Sequence, residues 1–344
     1  MNRPAGGAGD SAGRVFANLE RRPSALPLLL SALSLACILA GNETLDGHEA
    51  LVAETAREMV ANGDWLVPTF LGEPRLLKPP LAYWTTAISI RLFGVSETAA
   101  RLPSALAMLA LTTGVVWFAG RALSPRAGLI AGCVHATTFW PLAYGTSALV
   151  DGTLAALVAW CVFLGARDHV GDRSPTSWAQ ALAFWVLLAL AALAKGPIGP
   201  CLALPPVMAF RWMHRGAGMR FFWRPATLVG LPLALGLSLA WPLAILQAHP
   251  EAMEIWTAQS VGRFAERFGE QTRPWYYYGY AIFGLALPWL PLALASTFRC
   301  PADETSKGTR QVLWLWFGWA FLFCSLSAGK RAHYLLPGLA PLSV

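Results

Sequence analysis

The sequence predicts an all-α protein, a polytopic transmembrane helical bundle. Apolar residues make up 56% of the 344 residues and charged residues only 13%, well below the charged share of soluble domains. The apolar residues form about ten long runs, and basic residues fall in the connections between alternate runs. This pattern indicates membrane spans with a fixed orientation. It also accounts for the net charge of +7, so no nucleic-acid partner is expected.

The N-terminus, residues 1–22, is rich in glycine and alanine, and we expect a disordered cytoplasmic segment. Arg21 and Arg22 precede the first apolar run, Ala25 to Gly41. We interpret this run as an uncleaved first span, because no convincing signal-peptide cleavage site follows it. The six cysteines are scattered singly, so neither a disulfide framework nor a cysteine metal motif is predicted.

Nine further runs approach the length of about 20 residues that a span needs. Their centres are 102–120, 127–147, 152–166, 178–194, 197–211, 225–246, 276–296, 311–327 and 334 onward. With Arg21 and Arg22 in the cytoplasm, every cytoplasmic connection is basic, as the positive-inside rule expects. We therefore predict one transmembrane domain over residues 23–344, in the bacterial inner membrane. Five segments share its periplasmic face: 42–100, 148–151, 195–196, 247–275 and 328–333.

Two runs are ambiguous. The run 81–94 is short and carries Arg91, and as a span it would reverse the loop charges that follow, so we place it as an interfacial helix. The last run stops at Val344 before it could cross. We expect a natural protein to continue from there through more spans.

Both large outer loops carry helical patterns. Residues 49–61 separate apolar from charged side chains with a period near 3.6 residues, and Asn62-Gly63 is a typical helix end. A second such segment runs from Glu251 to Phe268. We expect both helices to lie along the membrane surface.

An acidic group opens the loop 42–100. Within seven residues lie Glu43, Asp46, His48 and Glu49. Such a group can bind a divalent cation, supply a general base, or be a solvated connection. The adjacent His48 and Glu49 lack the one-turn spacing of helical zinc ligands, and the three interpretations stay open.

Asp151 lies at a predicted outer turn and is the only acid between Glu97 and Asp168. A carboxylate at the end of a span is costly to bury, so its presence needs a reason. Asp151 either caps a helix that begins at Gly152 or Thr153 or serves as an active-site carboxylate. The two roles are compatible.

Several basic residues are candidates for binding an anion. Lys78 precedes two prolines, which hold it on a stiff, extended segment. That presentation suits a phosphate, although a lysine that reaches the lipid headgroups gives the same pattern. A second group near the end of the chain has the same two interpretations: Lys330, Arg331, His333 and Tyr334. Lys195, between two runs, either lines the cavity or is a turn lysine at the interface, and we favour the second interpretation.

The motifs form a recognisable series. After the acidic group come AETAREMVANGDWLVP, GEPRLLKPPLAYW, RLFGVSETAARLPSAL, an aspartate in the second outer turn and KRAHYLLP. Over residues 25–344 this series resembles the bacterial dolichyl-phosphate-mannose–protein mannosyltransferase-like glycosyltransferases, glycosyltransferase family 39. They belong to the GT-C class, which includes the lipid A aminoarabinose transferase. The resemblance implies a GT-C fold, a polyprenyl-phosphate-linked sugar donor, and transfer at the periplasmic face.

The resemblance also implies site residues. Asp151 matches the acid of the family's second outer loop, Lys78 the lysine of its KP motif, and Tyr334 the tyrosine before LLP. Family members have an Asp-Glu pair where this chain has His48 and Glu49. Three carboxylates therefore remain candidate bases: Glu49, Asp46 and Asp151.

Two departures from the family pattern bear on metal binding. Leu77 replaces the glutamate that the aminoarabinose transferases have before the KP lysine, and the segment 262–278 lacks a histidine. Both argue against a metal there, although a divalent ion stays a possible cofactor.

The predicted reaction is one inverting displacement. A base takes the acceptor's proton, while Lys78 and Arg331 hold the leaving phosphate. The acceptor is a lipid, a glycan or a protein, and neither it nor the sugar can be read from the sequence. The alternatives are a transporter or flippase of lipid-linked sugars, and a catalytically inactive family member. The charges lie at span ends rather than at mid-membrane, which disfavours the transporter.

Overall fold

The computed structural model describes residues 24–40, 44–170, 176–214, 221–222, 225–262, 272–298 and 303–344. Helices dominate this part of the chain, which confirms the predicted all-α class. Three predictions lie outside the described residues: the disordered N-terminus, Glu43, and the stretch 263–271 of the second outer loop.

The helices are numbered here in chain order. The α-helices are α1 (Ala25–Ala40), α2 (Gly47–Asn62), α3 (Leu81–Phe93), α4 (Glu97–Ala122), α5 (Pro125–Thr137), α6 (Phe139–Gly145), α7 (Val150–Ala166), α8 (Trp178–Lys195), α9 (Ile198–Met213), α10 (Pro225–Ala248), α11 (Ala252–Thr257), α12 (Tyr277–Leu285), α13 (Leu290–Thr297) and α14 (Glu304–Leu326). The shorter elements are the 3-10 turns Arg167–His169, Ala332–Gly338 and Ala340–Ser343, the π-helical turn Ala258–Gly262, and the strands β1 (Thr69–Phe70) and β2 (Glu73–Pro74).

Within the described ranges, three helices are long and apolar enough to cross a membrane: α4, α8 and α10. Helices α12 and α13 are bent by 117° against each other and make a fourth crossing element if the pair is one span. Helices α1 and α7 are apolar but shorter than these three helices. The predicted total of about ten spans stays a prediction.

Three of the predicted runs do not form single α-helices. The run 127–147 is divided between α5 and α6 at Thr138, which is extended, and the run 276–296 is divided between α12 and α13. The last run forms 3-10 turns. Proline explains the second and third breaks, because Pro288, Pro337 and Pro341 each lack the N–H that an α-helix needs.

Helix α7 lies at the centre of the bundle. It packs against α4, α8, α9 and the late 3-10 turn Ala332–Gly338, and Val158, Ala159 and Phe163 on it are fully buried. A helix surrounded on all sides is apolar all round, which explains why α7 shows no amphipathic pattern. Its N-terminal turn carries Asp151, so the fold places this acid among several neighbouring segments.

The first outer loop is folded. Helix α2 confirms the predicted helix and ends at Gly63, a left-handed residue (φ 71°) that closes the C-terminus. Helix α3 confirms a helix in the run 81–94. Val52 and Met59 of α2 pack with Tyr83 of α3 in a small hydrophobic cluster of their own. The loop therefore has a small hydrophobic core of its own, which holds α2 and α3 together.

A β-hairpin, which the sequence analysis missed, projects from the same loop. Its turn residues Leu71 and Gly72 both have positive φ, 54° and 81°, as a type I′ turn requires. The Glu58 carboxylate of α2 accepts hydrogen bonds from the Thr69 hydroxyl (2.6 Å) and the Leu71 N–H (2.7 Å). One buried acid thus fixes the hairpin to α2.

Three tryptophans anchor the chain after α2 through their indole N–H groups. Trp84 donates to the carbonyl of Trp65 (2.7 Å), Trp241 to that of Leu66 (2.9 Å) and Trp256 to that of Leu76 (2.7 Å). Trp256 lies on α11, within the predicted helical segment that begins at Glu251. The second outer loop therefore holds the backbone just before Lys78.

Candidate active site

Asp151 does not cap its helix. Helix α7 begins at Val150, and its N-cap, Leu149, makes no side-chain capping bond. The carboxylate lies one residue inside the helix, and Asp151 is 5% exposed. The capping interpretation is therefore wrong, and the burial of this acid needs a charged partner.

Lys195 supplies that partner. Its Nζ lies 2.5 Å from Asp151 Oδ1 and 4.3 Å from the centre of the Tyr334 ring. Helix α8 ends at Lys195, and Gly196 turns the chain with φ 62°. Our interpretation of Lys195 as an interfacial lysine is wrong. The two charges are 44 positions apart in the sequence, and only the packing of α7 against α8 joins them.

His333 and Lys78 complete this group. His333 Nε2 lies 3.9 Å from Asp151 Oδ2, and its ring contacts those of Tyr144 and Tyr334. Lys78 is close enough to act electrostatically on both Asp151 and His333. These side chains come from four separate segments of the chain, at the ends of α7 and α8 and in the two outer loops that flank them.

The other two basic residues of the loop 328–333, Lys330 and Arg331, have different partners. Arg331 Nη1 lies 2.9 Å from His48 Nε2, and the buried Tyr278 donates a hydrogen bond to the Arg331 carbonyl (3.0 Å). Lys330 is buried and donates to the carbonyls of Arg273 and Ser327. Burial lowers the pKa of Lys330. This placement favours a structural role for Lys330, and its predicted phosphate contact stays untested.

Most of the acidic group of the first outer loop makes contacts that stabilise the fold. Asp46 is the N-cap of α2 and forms a capping box with Glu49. Glu49 is buried, and the Arg101 guanidinium donates to both of its oxygens, Nε at 2.9 Å and Nη2 at 2.8 Å. The N–H of Ala148 donates to Glu49 as well (2.8 Å). Glu49 therefore joins the first outer loop, α4 and the second outer turn.

These contacts fix the charge of Glu49. Burial by itself raises the pKa of a carboxyl group. The hydrogen bonds from Arg101 and from the N–H groups of Ala148 and Asp46 outweigh it, and they hold the pKa of Glu49 below its usual range. Glu49 is an anion at neutral pH with both oxygens engaged. As a base it would first have to leave Arg101.

The structure thus separates the predicted site residues into three sets. Asp151, Lys78 and Tyr334 share one cluster with Lys195 and His333, which we call the Asp151 cluster. His48 and Arg331 form a neighbouring pair. The remaining predicted residues lie in the scaffold of the loops: Asp46, Glu49 and Lys330. Across the described ranges, no three His, Cys, Asp or Glu side chains group to hold a metal ion, and a divalent cofactor stays a prediction.

His333 makes stability depend on pH. Burial is the largest influence and lowers its pKa; Asp151 opposes this, while Lys195, Arg331 and Lys78 add to it. The unfolded chain, with a histidine pKa of about 6.5, therefore binds the proton more readily than the folded protein. Stability is full above about pH 6.5 and falls as the pH drops below it. We expect His333→Gln to lose less stability than wild type between pH 7 and 5, measured by thermal unfolding in detergent. Equal losses would contradict this.

Comparisons with known proteins bear on the fold and the family of the chain. The family described as dolichyl-phosphate-mannose-protein mannosyltransferase matches residues 77–245. An undecaprenyl phosphate-alpha-4-amino-4-deoxy-L-arabinose arabinosyl transferase from Edwardsiella ictaluri is 32% identical over 307 residues, covering 86% of this chain and 53% of the relative. One from Shewanella sediminis is 33% identical over 304 residues, covering 86% and 54%.

These similarities relate the chain to the dolichyl-phosphate-mannose-protein mannosyltransferase family. Its fold is similar to that of ArnT from Cupriavidus metallidurans bound to undecaprenyl phosphate. That comparison has a TM-score of 0.81 at 22% identity and covers 92% of this chain and 58% of the other. The archaeal oligosaccharyltransferase AglB from Archaeoglobus fulgidus also matches, with a TM-score of 0.59 at 11% identity, over 94% and 49%. The chain spans about half the length of the curated relatives it matches.

Sequence reasoning missed or undervalued two residues of this chain. Arg101 lies in the motif RLFGVSETAARLPSAL, and Lys195 in ALAKGPIGP. Each is a lone charge beside a long apolar run. Such a charge needs a partner when it is buried, and the same rule that singled out Asp151 would have singled out both.

Proposed function

We propose that the protein is a membrane glycosyltransferase, which moves a sugar from a polyprenyl-phosphate donor to an envelope acceptor at the periplasmic face. One observation carries the proposal: cationic groups converge around a single buried carboxylate. Lys195 is paired with Asp151, and Lys78 acts on the same carboxylate. Positive charge therefore exceeds negative charge there, as a site for a leaving phosphate requires.

The comparisons support this donor. The two relatives above are named for undecaprenyl phosphate-linked aminoarabinose, and the ArnT structure is described as bound to undecaprenyl phosphate. A lipid tail of this kind fits a site at the end of an apolar bundle, because the tail stays in the hydrocarbon while the phosphate reaches the charged groups. No nucleotide is needed in this reaction.

In the proposed reaction the acceptor's oxygen attacks the anomeric carbon of the sugar. The proton of the acceptor hydroxyl goes to Asp151, either directly or through the adjacent His333. The bond between the anomeric carbon and the phosphate oxygen breaks, and its electron pair leaves with the phosphate. Lys78 and Arg331 stabilise the growing negative charge. One displacement inverts the anomeric configuration.

The test uses full-length protein in liposomes with a radiolabelled polyprenyl-phosphate sugar and a total envelope extract. We expect label to move from the donor lipid into an acceptor, which chromatography of the extract would identify as a lipid, a glycan or a protein. The anomeric configuration of the product should be opposite to that of the donor. Donor lipid crossing the bilayer without transfer would show a flippase, and retained configuration would exclude the single displacement.

A further inference from the structure

A second feature lies at the opposite end of the bundle from the Asp151 cluster. Between the last residue of α9 and the first turns of α14 there is a cavity of about 460 Å³. It is lined by Met213, Lys307, Arg310, Gln311, Trp314 and Leu315. Helix α14 has 23 residues, a length of roughly 35 Å, and its other end leads into the loop with Arg331. The cavity and the loop that carries Arg331 therefore lie near opposite ends of α14.

The lining residues of α14 occupy positions 307, 310, 311, 314 and 315, the i, i+3, i+4, i+7 and i+8 spacing of one helix face. The other side of α14 is buried, with Val312, Trp316 and Ala320 in the core. Trp319 donates its indole N–H to the carbonyl of Cys201 on α9 (2.7 Å), which joins the two helices. The cavity is thus a groove between two helices that pack against each other.

Polarity changes in order along this groove. Lys307 and Arg310 come first, Gln311 follows, and Trp314 and Leu315 come last. A phospholipid has the same order: an anionic phosphate, polar ester groups, then acyl chains. Tryptophan is favoured at the level where the ester groups lie. Arg310 also donates to the carbonyl of Thr297 at the end of α13, which fixes its guanidinium at the wall of the groove.

We propose that this groove binds an anionic phospholipid of the cytoplasmic leaflet. Lys307 and Arg310 contact its phosphate, Gln311 and Trp314 its ester region, and Leu315 with Met213 its acyl chain. Basic pockets between transmembrane helices on the cytoplasmic side are suited to anionic headgroups. The sequence places this end of α14 on that side, because Arg299 precedes the helix and Lys307 and Arg310 lie in its first turns. The proposal does not depend on the glycosyltransferase activity.

The test is native mass spectrometry of the full-length protein, titrated with phosphatidylglycerol or with phosphatidylcholine. Wild type should retain phosphatidylglycerol in preference. The double variant Lys307→Gln/Arg310→Gln should bind phosphatidylglycerol about tenfold more weakly or worse, because each basic residue near the headgroup contributes to its attraction. Binding of phosphatidylcholine should change little.

The matched control is Arg121→Gln/Arg126→Gln, which removes the same charge from the same predicted side but leaves the groove intact. It should keep the wild-type preference. Lys307 is exposed, and Lys307→Gln alone should weaken binding about threefold. Equal retention of both lipids by wild type, unchanged binding by the double variant, or an equal loss in the control would each overturn the proposal.

Discussion

Replacing Lys78 with alanine is expected to lower the rate of sugar transfer by about 10²- to 10³-fold. Lys78 is half-buried and acts on Asp151 and His333, so its ammonium lies where the leaving phosphate would gain charge. Its effect grows as the bond to the phosphate breaks. The loss should therefore appear in kcat more than in KM. The measurement is transfer of labelled sugar in liposomes over a range of donor concentrations.

The control is Arg91→Ala. Arg91 is exposed in the last turn of α3, and it carries the same charge within the same outer loop without contacting the Asp151 cluster. The Arg91→Ala variant should transfer sugar at close to the wild-type rate.

The Asp151→Asn variant should lose as much transfer rate as Lys78→Ala. The double variant should be little slower than either, because the effects of residues that act in one step are not additive. A Lys78→Ala variant with nearly normal kcat would refute this role.

The first outer loop shows which local structure the sequence could predict. The helical period of residues 49–61 and the Asn62-Gly63 end are local signals, and the structure has α2 in that place. The cap was a local signal too, because Asp46 and Glu49 have the spacing of a capping box. Because both residues are acidic, they were interpreted as candidate catalytic or metal-binding groups instead. The hairpin was missed since its turn, Leu71-Gly72, lacks the usual Asn-Gly pair.

The Asp151 cluster shows what the sequence could not predict. Family motifs pointed to Lys78, Asp151 and Tyr334 one at a time. The contact between Asp151 and Lys195 depends on how α7 packs against α8, and that of His48 with Arg331 joins residues at opposite ends of the chain. Pairings of this kind are set by tertiary packing, for which a single sequence carries no local signal.

Replacing Arg101 with leucine is expected to destabilise the protein by about 3–5 kcal/mol, because it leaves the Glu49 carboxylate buried without its partner. Both side chains are largely buried, with 9% of Arg101 and 6% of Glu49 exposed. The measurement is the free energy of unfolding in mixed detergent micelles. The matched control is Arg57→Leu. Its ion pair with Glu54, on the same loop, is exposed, and its loss should change stability by about 0–1 kcal/mol.

A double-mutant cycle then distinguishes a scaffold role of Glu49 from a catalytic one. If the Glu49–Arg101 ion pair is structural, Glu49→Gln/Arg101→Leu should be more stable than Arg101→Leu alone, because the double variant no longer buries the unpaired Glu49 carboxylate. Arg101 and Ser104 of α4 both hold the second outer turn, through Glu49 and through the Leu149 carbonyl. Folded Glu49→Gln should keep most of its transfer rate. A loss as large as that of Asp151→Asn, at unchanged stability, would instead make Glu49 the base.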